Sequence, residues 1–188
     1  KSQLERNKEL LESIGRAESD LYSRVILRML EESPTSYGYA DYAATNYRLE
    51  RFSIAAQYYQ KALEVQQDSS SLDIWRYKLA VSYYGAKEYR KAFKSAKLVN
   101  GENEALALKL SGDCIALLAS ECGNSTFERN ANYWLANDYY LKAKFLGLNV
   151  SGKEYLSNAP AATEVFEQGL KIGDAYYLDC WKVKTVIR

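Results

Sequence analysis

Residues 52–63 read Phe52-Ser-Ile-Ala-Ala-Gln-Tyr-Tyr-Gln-Lys-Ala-Leu63. Its aromatic and small residues recur three and four positions apart, which is the spacing of one face of an α-helix. A small side chain lets a second helix approach closely, while a large tyrosine fills the space left beside it. The stretch therefore predicts the second helix of a tightly packed antiparallel pair.

Two later stretches repeat this frame. In these stretches the aromatic residues are Tyr89 and Tyr133, and we expect each of them to begin a helix. Each is followed by an alanine on the same helix face. The helix before each of the three stretches carries a small residue at a matching place: Ala43, Ala80 and Gly112. A repeated helix pair with matched packing positions predicts a stack in which each pair buries a face of the next.

The two ends of the chain differ from this repeat. Apolar positions within residues 1–33 have helical spacing on both sides of Gly15, which predicts a helical hairpin that stops before Pro34. After Gly173, β-branched and aromatic residues partly alternate with polar ones, which predicts a pair of strands over residues 173–188. We expect one face of this hairpin to cap the last helices, and the alternative is an edge strand that pairs with a partner.

The frame resembles the tetratricopeptide repeat, a helix pair that recurs about every 34 residues. The clearest copy has Leu79-Ala-x-x-Tyr in its first helix and Tyr89-x-x-Ala in its second. The resemblance implies an all-α fold, namely a right-handed α-solenoid of about four helix pairs with a small C-terminal β-hairpin. The sequence departs from the repeat at Asn46, where a tyrosine is usual, and by an insertion between Gly112 and Ala136 that lengthens a helix or adds a loop.

The resemblance also implies the organisation of the chain. We expect one continuous domain with an opening helical hairpin over 1–35, helix pairs over 36–146, an irregular or short-helix connector over 147–172, and the β tail over 173–188. The tail sequence Gly173-Asp-x-Tyr-Tyr-x-x-Cys-Trp is similar to that of bacterial tetratricopeptide repeat proteins with a short β tail. Members of that group often carry export signals, which favours the periplasm or the cell envelope.

Composition excludes several kinds of chemistry. The 188 residues include 17 Tyr and no His, and the net charge is +1. Without imidazole there is no Ser-His-Asp triad and no His-ligated zinc, and the scattered glycines form no phosphate-binding loop. A nearly neutral chain is a poor partner for nucleic acid, and no apolar stretch is long enough to span a membrane. We therefore expect no catalytic residues, no metal and no cofactor.

A concave surface lined by the first helices is where such arrays bind peptides. The repeat frame places there the side chains of Tyr37, Tyr47, Arg48, Tyr77, Tyr84 and Lys109. Tyrosine offers a large contact area with few rotatable bonds and a polar tip, and Arg48 and Lys109 are expected to orient the ligand. The sequence thus predicts a non-catalytic interaction module or scaffold that binds a peptide or partner loop. The alternative for each tyrosine is that it fills space between helices.

Two other functions stay open at this point. Exposed Tyr and Trp rings stack on sugars, so the chain is alternatively a carbohydrate-binding protein of the bacterial cell envelope. A structural role in an envelope assembly is the third interpretation.

The three cysteines also leave alternatives. In one unbroken helix, Cys114 and Cys122 would lie about 12 Å apart along the axis, which is too far for a disulfide. A bond between them requires the helix to end before Cys122, which the following Gly123 permits. Buried free thiols are the other alternative, and no neighbouring base in the sequence supports a catalytic thiol.

Overall fold

The computed structural model describes residues 2–66 and 72–188, and the chain divides into two compact units. The N-terminal unit is Lys1–Val99 and the C-terminal unit is Asn100–Arg188. In the described residues most elements are helices, and one two-stranded antiparallel sheet lies near the end of the chain. The predicted helical fold with a small β tail is confirmed at this level.

The N-terminal unit is a succession of helices, each packed on the next along the chain. Ser2, Ser19 and Thr35 begin the first three helices by accepting hydrogen bonds from backbone N–H groups of the first turn. The second helix ends directly before Ser33 and Pro34, where the sequence predicts a stop. The helices are α1 Gln3–Ser13, α2 Asp20–Glu32, α3 Ser36–Arg48, α4 Phe52–Val65, α5 Leu72–Gly85 and α6 Tyr89–Ala96.

Small residues of the repeat frame lie inside this unit. Their side chains have no exposed area at Ala43, Ala55, Ala80 and Ala92. Gly85 shows how close the approach is, because a Cβ atom added there would lie 2.6 Å from the ring of Phe52. The helix beginnings predicted at Phe52 and Tyr89 are confirmed.

The C-terminal unit combines a long helix pair with a connector and the β tail. A search by helical spacing alone would miss its 3₁₀ segments, which are Gly101–Asn103, Ala119–Glu121 and Lys153–Asn158. Its regular elements are α7 Glu104–Leu117, α8 Thr126–Phe145, α9 Ala162–Glu167, β1 Ala175–Leu178 and β2 Val183–Val186.

The predicted helix beginning at Tyr133 is wrong, because α8 already begins at Thr126. Ser125 and Glu128 form a capping box, in which each side chain accepts a hydrogen bond from the backbone N–H of the other. This cap starts the helix about two turns before the aromatic residue of the repeat frame. Part of the insertion therefore extends α8 backwards, and the rest forms a loop around Gly123.

The β tail packs on α8, as the predicted cap does. β1 and β2 are antiparallel, with Ala175 opposite Val186. The Trp181 indole N–H donates to the Asn132 side-chain oxygen at 2.6 Å, and the Thr185 hydroxyl donates to Asp138 at 2.6 Å. The buried side chains on this face are Leu178, Trp181, Thr185 and Ile187.

A disulfide joins the tail to the loop before α8, and it corrects the expected pairing of Cys114 with Cys122. Cys122 instead bonds to Cys180, with their Cα atoms 5.6 Å apart, and Cys114 is a free, buried thiol. The helix does end before Cys122, but Cys114 points into the interior of the unit, and burial and the neighbouring Asp113 raise its pKa to about 12. Docking of the β tail brings Cys180 to the loop instead.

We expect Ile187→Ala to lower the free energy of unfolding by about 2–4 kcal/mol, because its side chain is 1% exposed beneath the tail. Val186→Ala is the matched control, since that side chain is 43% exposed on the opposite face and its loss should cost less than about 1 kcal/mol. Urea unfolding of both variants measures the difference. Equal losses would contradict the cap.

Candidate functional site

The structure divides the predicted partner-binding residues between the two units. Tyr37, Tyr47 and Arg48 belong to α3, Tyr77 and Tyr84 belong to α5, and all five lie in the N-terminal unit. Lys109 belongs to α7 in the C-terminal unit. We therefore treat the tyrosines of α3 and α5 as the candidate site and refer to Tyr37, Tyr47, Tyr77 and Tyr84 together as the tyrosine face.

Helices α3 and α5 are neighbours across this surface. The rings of Tyr37 and Trp75 meet edge to face, with their centroids 5.3 Å apart. Burial raises the pKa of Tyr77, and the nearby Tyr47 raises it further. The hydroxyl of Tyr77 is therefore protonated at neutral pH and available both as a donor and as an acceptor.

Contacts between rings hold the tyrosines in place. Tyr47 packs edge to face against Phe52 at the start of α4, and Tyr84 packs the same way against Tyr89 at the start of α6. Such contacts stabilise a ring orientation by about 0.5–1.5 kcal/mol beyond the area they bury. A ligand that binds these rings therefore loses little side-chain entropy.

The polar tips of two of these rings are not used within the described chain. Tyr47 and Tyr77 are half-buried, yet neither hydroxyl forms a hydrogen bond with any other described residue. A half-buried hydroxyl without a protein partner is solvated by water or bound by a ligand. The hydroxyls of Tyr47 and Tyr77 are therefore available to water or to a ligand.

A cleft of about 330 Å³ lies beside the Tyr37 end of the tyrosine face. Ile26, Met29 and Leu30 give it an apolar lining, and Tyr37, whose side chain is 60% exposed, forms part of its wall. Lys8 also lines it. The volume suits one bulky apolar side chain of a ligand.

The charges at the rim of the cleft are fixed by ion pairs. The Lys8 ammonium lies 3.1 Å from carboxylate oxygens of both Glu12 and Asp41. The Glu12 carboxylate also accepts a hydrogen bond from the Tyr22 hydroxyl at 2.6 Å. Burial and this bond raise the pKa of Tyr22 to about 12, and the Tyr22 and Lys8 bonds lower the pKa of Glu12. The charged groups at the rim are therefore paired with one another, beside the apolar lining of the cleft.

The two cations expected to orient a ligand each form an ion pair within the chain. Arg48 Nε lies 3.2 Å from the Glu18 carboxylate, and Lys109 Nζ lies 2.7 Å from the Asp113 carboxylate. Each cation is thus held by a carboxylate of this chain while its side chain stays partly exposed to solvent. We therefore assign Arg48 and Lys109 to intramolecular ion pairs, and the tyrosines carry the candidate site.

Asp113 is the centre of a second polar cluster, which lies in the C-terminal unit. Its carboxylate accepts hydrogen bonds from the hydroxyls of Tyr140 and Tyr155 and from Lys109. Burial and the bond to Asp113 raise the pKa of Tyr140 strongly, so this tyrosine remains a donor. A Cβ atom added at Gly112 would lie 2.7 Å from the Tyr140 ring, so the ring fills the space that the glycine leaves. The cluster is a latch that holds the connector to α7 and α8.

Sequence reasoning missed the cleft and its residues. Ile26 and Met29 read as ordinary apolar positions of α2, and Lys8 and Asp41 read as solvated charges. Their arrangement depends on how α1, α2 and α3 pack together, and the repeat frame does not specify that packing. Trp75 was available as a signal, because this large aromatic residue of α5 is the one whose ring meets Tyr37 of α3.

A scan against protein-family models finds no match for this chain, and a search of curated proteins finds none either. Membership of the tetratricopeptide repeat family and the solenoid arrangement therefore stay predictions.

Among residues 2–66 and 72–188 no helix is both long enough and apolar enough to cross a membrane. No three cysteine, aspartate or glutamate side chains among those residues are grouped so that they would hold a metal ion.

Tyr59, a buried residue close to Tyr47, makes the free energy of unfolding fall at alkaline pH. Tyr59 is 3% exposed, and burial raises its pKa to about 12, against about 10 in an unfolded chain. Between these values the unfolded chain binds fewer protons than the folded one, so the free energy of unfolding falls as the pH rises. We expect Tyr59 alone to account for a loss of about 1 kcal/mol by pH 11.

Urea unfolding between pH 8 and pH 11 measures this loss in the wild type and in Tyr59→Phe, in which it should be smaller. Tyr177→Phe is the control, since that side chain is half-exposed on β1. If Tyr59→Phe retained the full pH dependence, Tyr59 would not be its source.

Proposed function

We propose that this chain is a non-catalytic interaction module that binds an extended peptide or a partner loop across the tyrosine face. The observation that carries the proposal is the pair of half-buried hydroxyls, Tyr47 and Tyr77, which have no hydrogen-bond partner among the described residues. Held rings with unused polar tips are suited to recognition, because they add contact area and hydrogen bonds at low entropic cost.

The bound segment would be extended. Backbone N–H and C=O groups of an extended chain alternate in direction, so they meet hydroxyls that both donate and accept. One bulky apolar side chain of the peptide would occupy the cleft beside Tyr37, with Met29 and Leu30 as its contacts. Binding energy then comes from one buried apolar anchor, and the hydroxyls of Tyr47 and Tyr77 set the register of the peptide.

Carbohydrate binding has less support. Stacking on sugars requires an aromatic ring with an open face, and tryptophan is well suited to it. Trp75, Trp134 and Trp181 are all buried, and Trp181 uses its indole N–H on Asn132. On the tyrosine face, Tyr37 is therefore the one ring exposed enough to stack on a sugar.

The disulfide supports a location in an oxidising compartment. Disulfides persist in secreted, periplasmic and cell-surface proteins and are rare in reducing cytosol. The Cys122–Cys180 bond joins a loop to a docked tail over a separation of 58 residues. This favours the periplasm or the cell envelope of a bacterium as the place where the module works.

Selection from a phage-displayed random peptide library against the full chain tests the proposal. We expect selected peptides to share one bulky apolar residue, and fluorescence anisotropy then gives the dissociation constant of a synthetic copy. The double variant Tyr47→Phe with Tyr77→Phe keeps both rings but removes both hydroxyls. It should weaken binding by about tenfold to a hundredfold, because each hydrogen bond contributes roughly 1 kcal/mol.

Tyr177→Phe is the matched control, since it removes one exposed hydroxyl from the C-terminal unit and should leave affinity unchanged. Circular dichroism verifies that each variant is folded. If no peptide is selected, or if the double variant binds as tightly as the wild type, the proposal fails.

A further inference from the structure

A second surface, with exposed apolar side chains and two charged residues that form no salt bridge among the described residues, lies on the C-terminal unit. It lies away from the latch of Asp113. Helices α7 and α8 are antiparallel, since Gly112 lies against Tyr140 while Glu104, at the start of α7, lines the same groove as Phe145, at the end of α8. Beyond the latch the two helices leave a groove of about 530 Å³. We call it the α7–α8 groove, and it is lined by Glu104, Leu108, Leu141, Lys142, Phe145 and Leu146.

The α7–α8 groove exposes a contiguous group of large apolar side chains to solvent. Phe145 is 89% exposed, and Leu141 and Leu146 are half-exposed beside it. Single exposed apolar residues are common, but a contiguous group that includes a nearly free phenylalanine usually marks an interaction surface. A ring of this size buries about 150–250 Å² when it is covered.

The charges beside this apolar group have opposite signs and stand on opposite walls. Glu104 is on the α7 side and Lys142 is on the α8 side. Neither forms a salt bridge within the described ranges, although the Lys142 ammonium lies 5.2 Å from the centroid of the Tyr139 ring. Each wall therefore presents a charge that a partner surface can still use.

We propose that the α7–α8 groove closes against the same groove of a second copy of this chain. A two-fold axis that passes between α7 and α8 exchanges the two walls. It places Glu104 of one copy opposite Lys142 of the other, twice, with Phe145 and the leucines of both copies between the two ion pairs. A surface that carries an acid on one wall and a base on the other is complementary to itself, whereas a single-sign surface would repel its copy.

The dimer is expected to be weak and reversible. One phenylalanine and three leucines on each side cover less than the roughly 800 Å² per partner of a standard stable interface. Association therefore depends on the apolar contact for most of its free energy and on the two ion pairs for its orientation.

Sedimentation equilibrium of the full chain over about a hundredfold range of concentration tests the proposal. The wild type should show a reversible monomer–dimer equilibrium. Glu104→Lys and Lys142→Glu should each raise the dissociation constant at least about tenfold, because each places like charges together twice in the dimer. An equimolar mixture of the two variants should form a heterodimer about as tight as the wild-type dimer, since every facing pair then has opposite signs.

Lys144→Glu is the matched control, because Lys144 is exposed on the same helix but does not line the α7–α8 groove. It should leave the dissociation constant nearly unchanged. A wild type that is monomeric throughout the range would overturn the proposal and leave the groove to a different partner. A mixture that fails to recover the dimer would overturn it too, because it would show that Glu104 and Lys142 do not face each other.

Discussion

The close approach of small residues to aromatic rings is the interaction on which both units depend. In the N-terminal unit Gly85 leaves room for Phe52, and in the C-terminal unit Gly112 leaves room for Tyr140. An added methyl group would overlap the ring in each case, so the helices could not keep their separation. The rings of Phe52 and Tyr140 thus act as spacers between helices, which gives two of the many aromatic residues of this chain a packing role.

Local signals explain what the sequence predicted well. The helix beginnings at Phe52 and Tyr89 and the strands after Gly173 follow from spacing and residue type within a short window. The start of α8 was wrong because a capping box at Ser125 acts before the aromatic residue of the repeat. The partner of Cys122 was wrong for a different reason, since it depends on docking of the β tail and lies 58 residues away.

The candidate site divides in the same way. The tyrosines of α3 and α5 could be named from the repeat frame, because the frame specifies which positions of a first helix face outward. The ion pair of Arg48 with Glu18 could not, since it joins residues of different segments and depends on how those segments pack. The pair of Lys109 with Asp113 has the i,i+4 spacing of one helix face and was within reach of the sequence. The cleft beside Tyr37 could not be predicted from the sequence either, because its volume depends on how closely α1, α2 and α3 pack together.

The central claim is that the tyrosine face is the surface that meets a ligand. The most direct measurement is fluorine NMR of the full chain labelled with 3-fluorotyrosine, assigned by single Tyr→Phe variants and recorded with and without a saturating library-selected peptide. The account predicts that the resonances of Tyr37, Tyr47, Tyr77 and Tyr84 shift on binding while that of Tyr140, enclosed in its latch with Asp113, stays in place. Shifts confined to other tyrosines, or no shift at saturation, would contradict it.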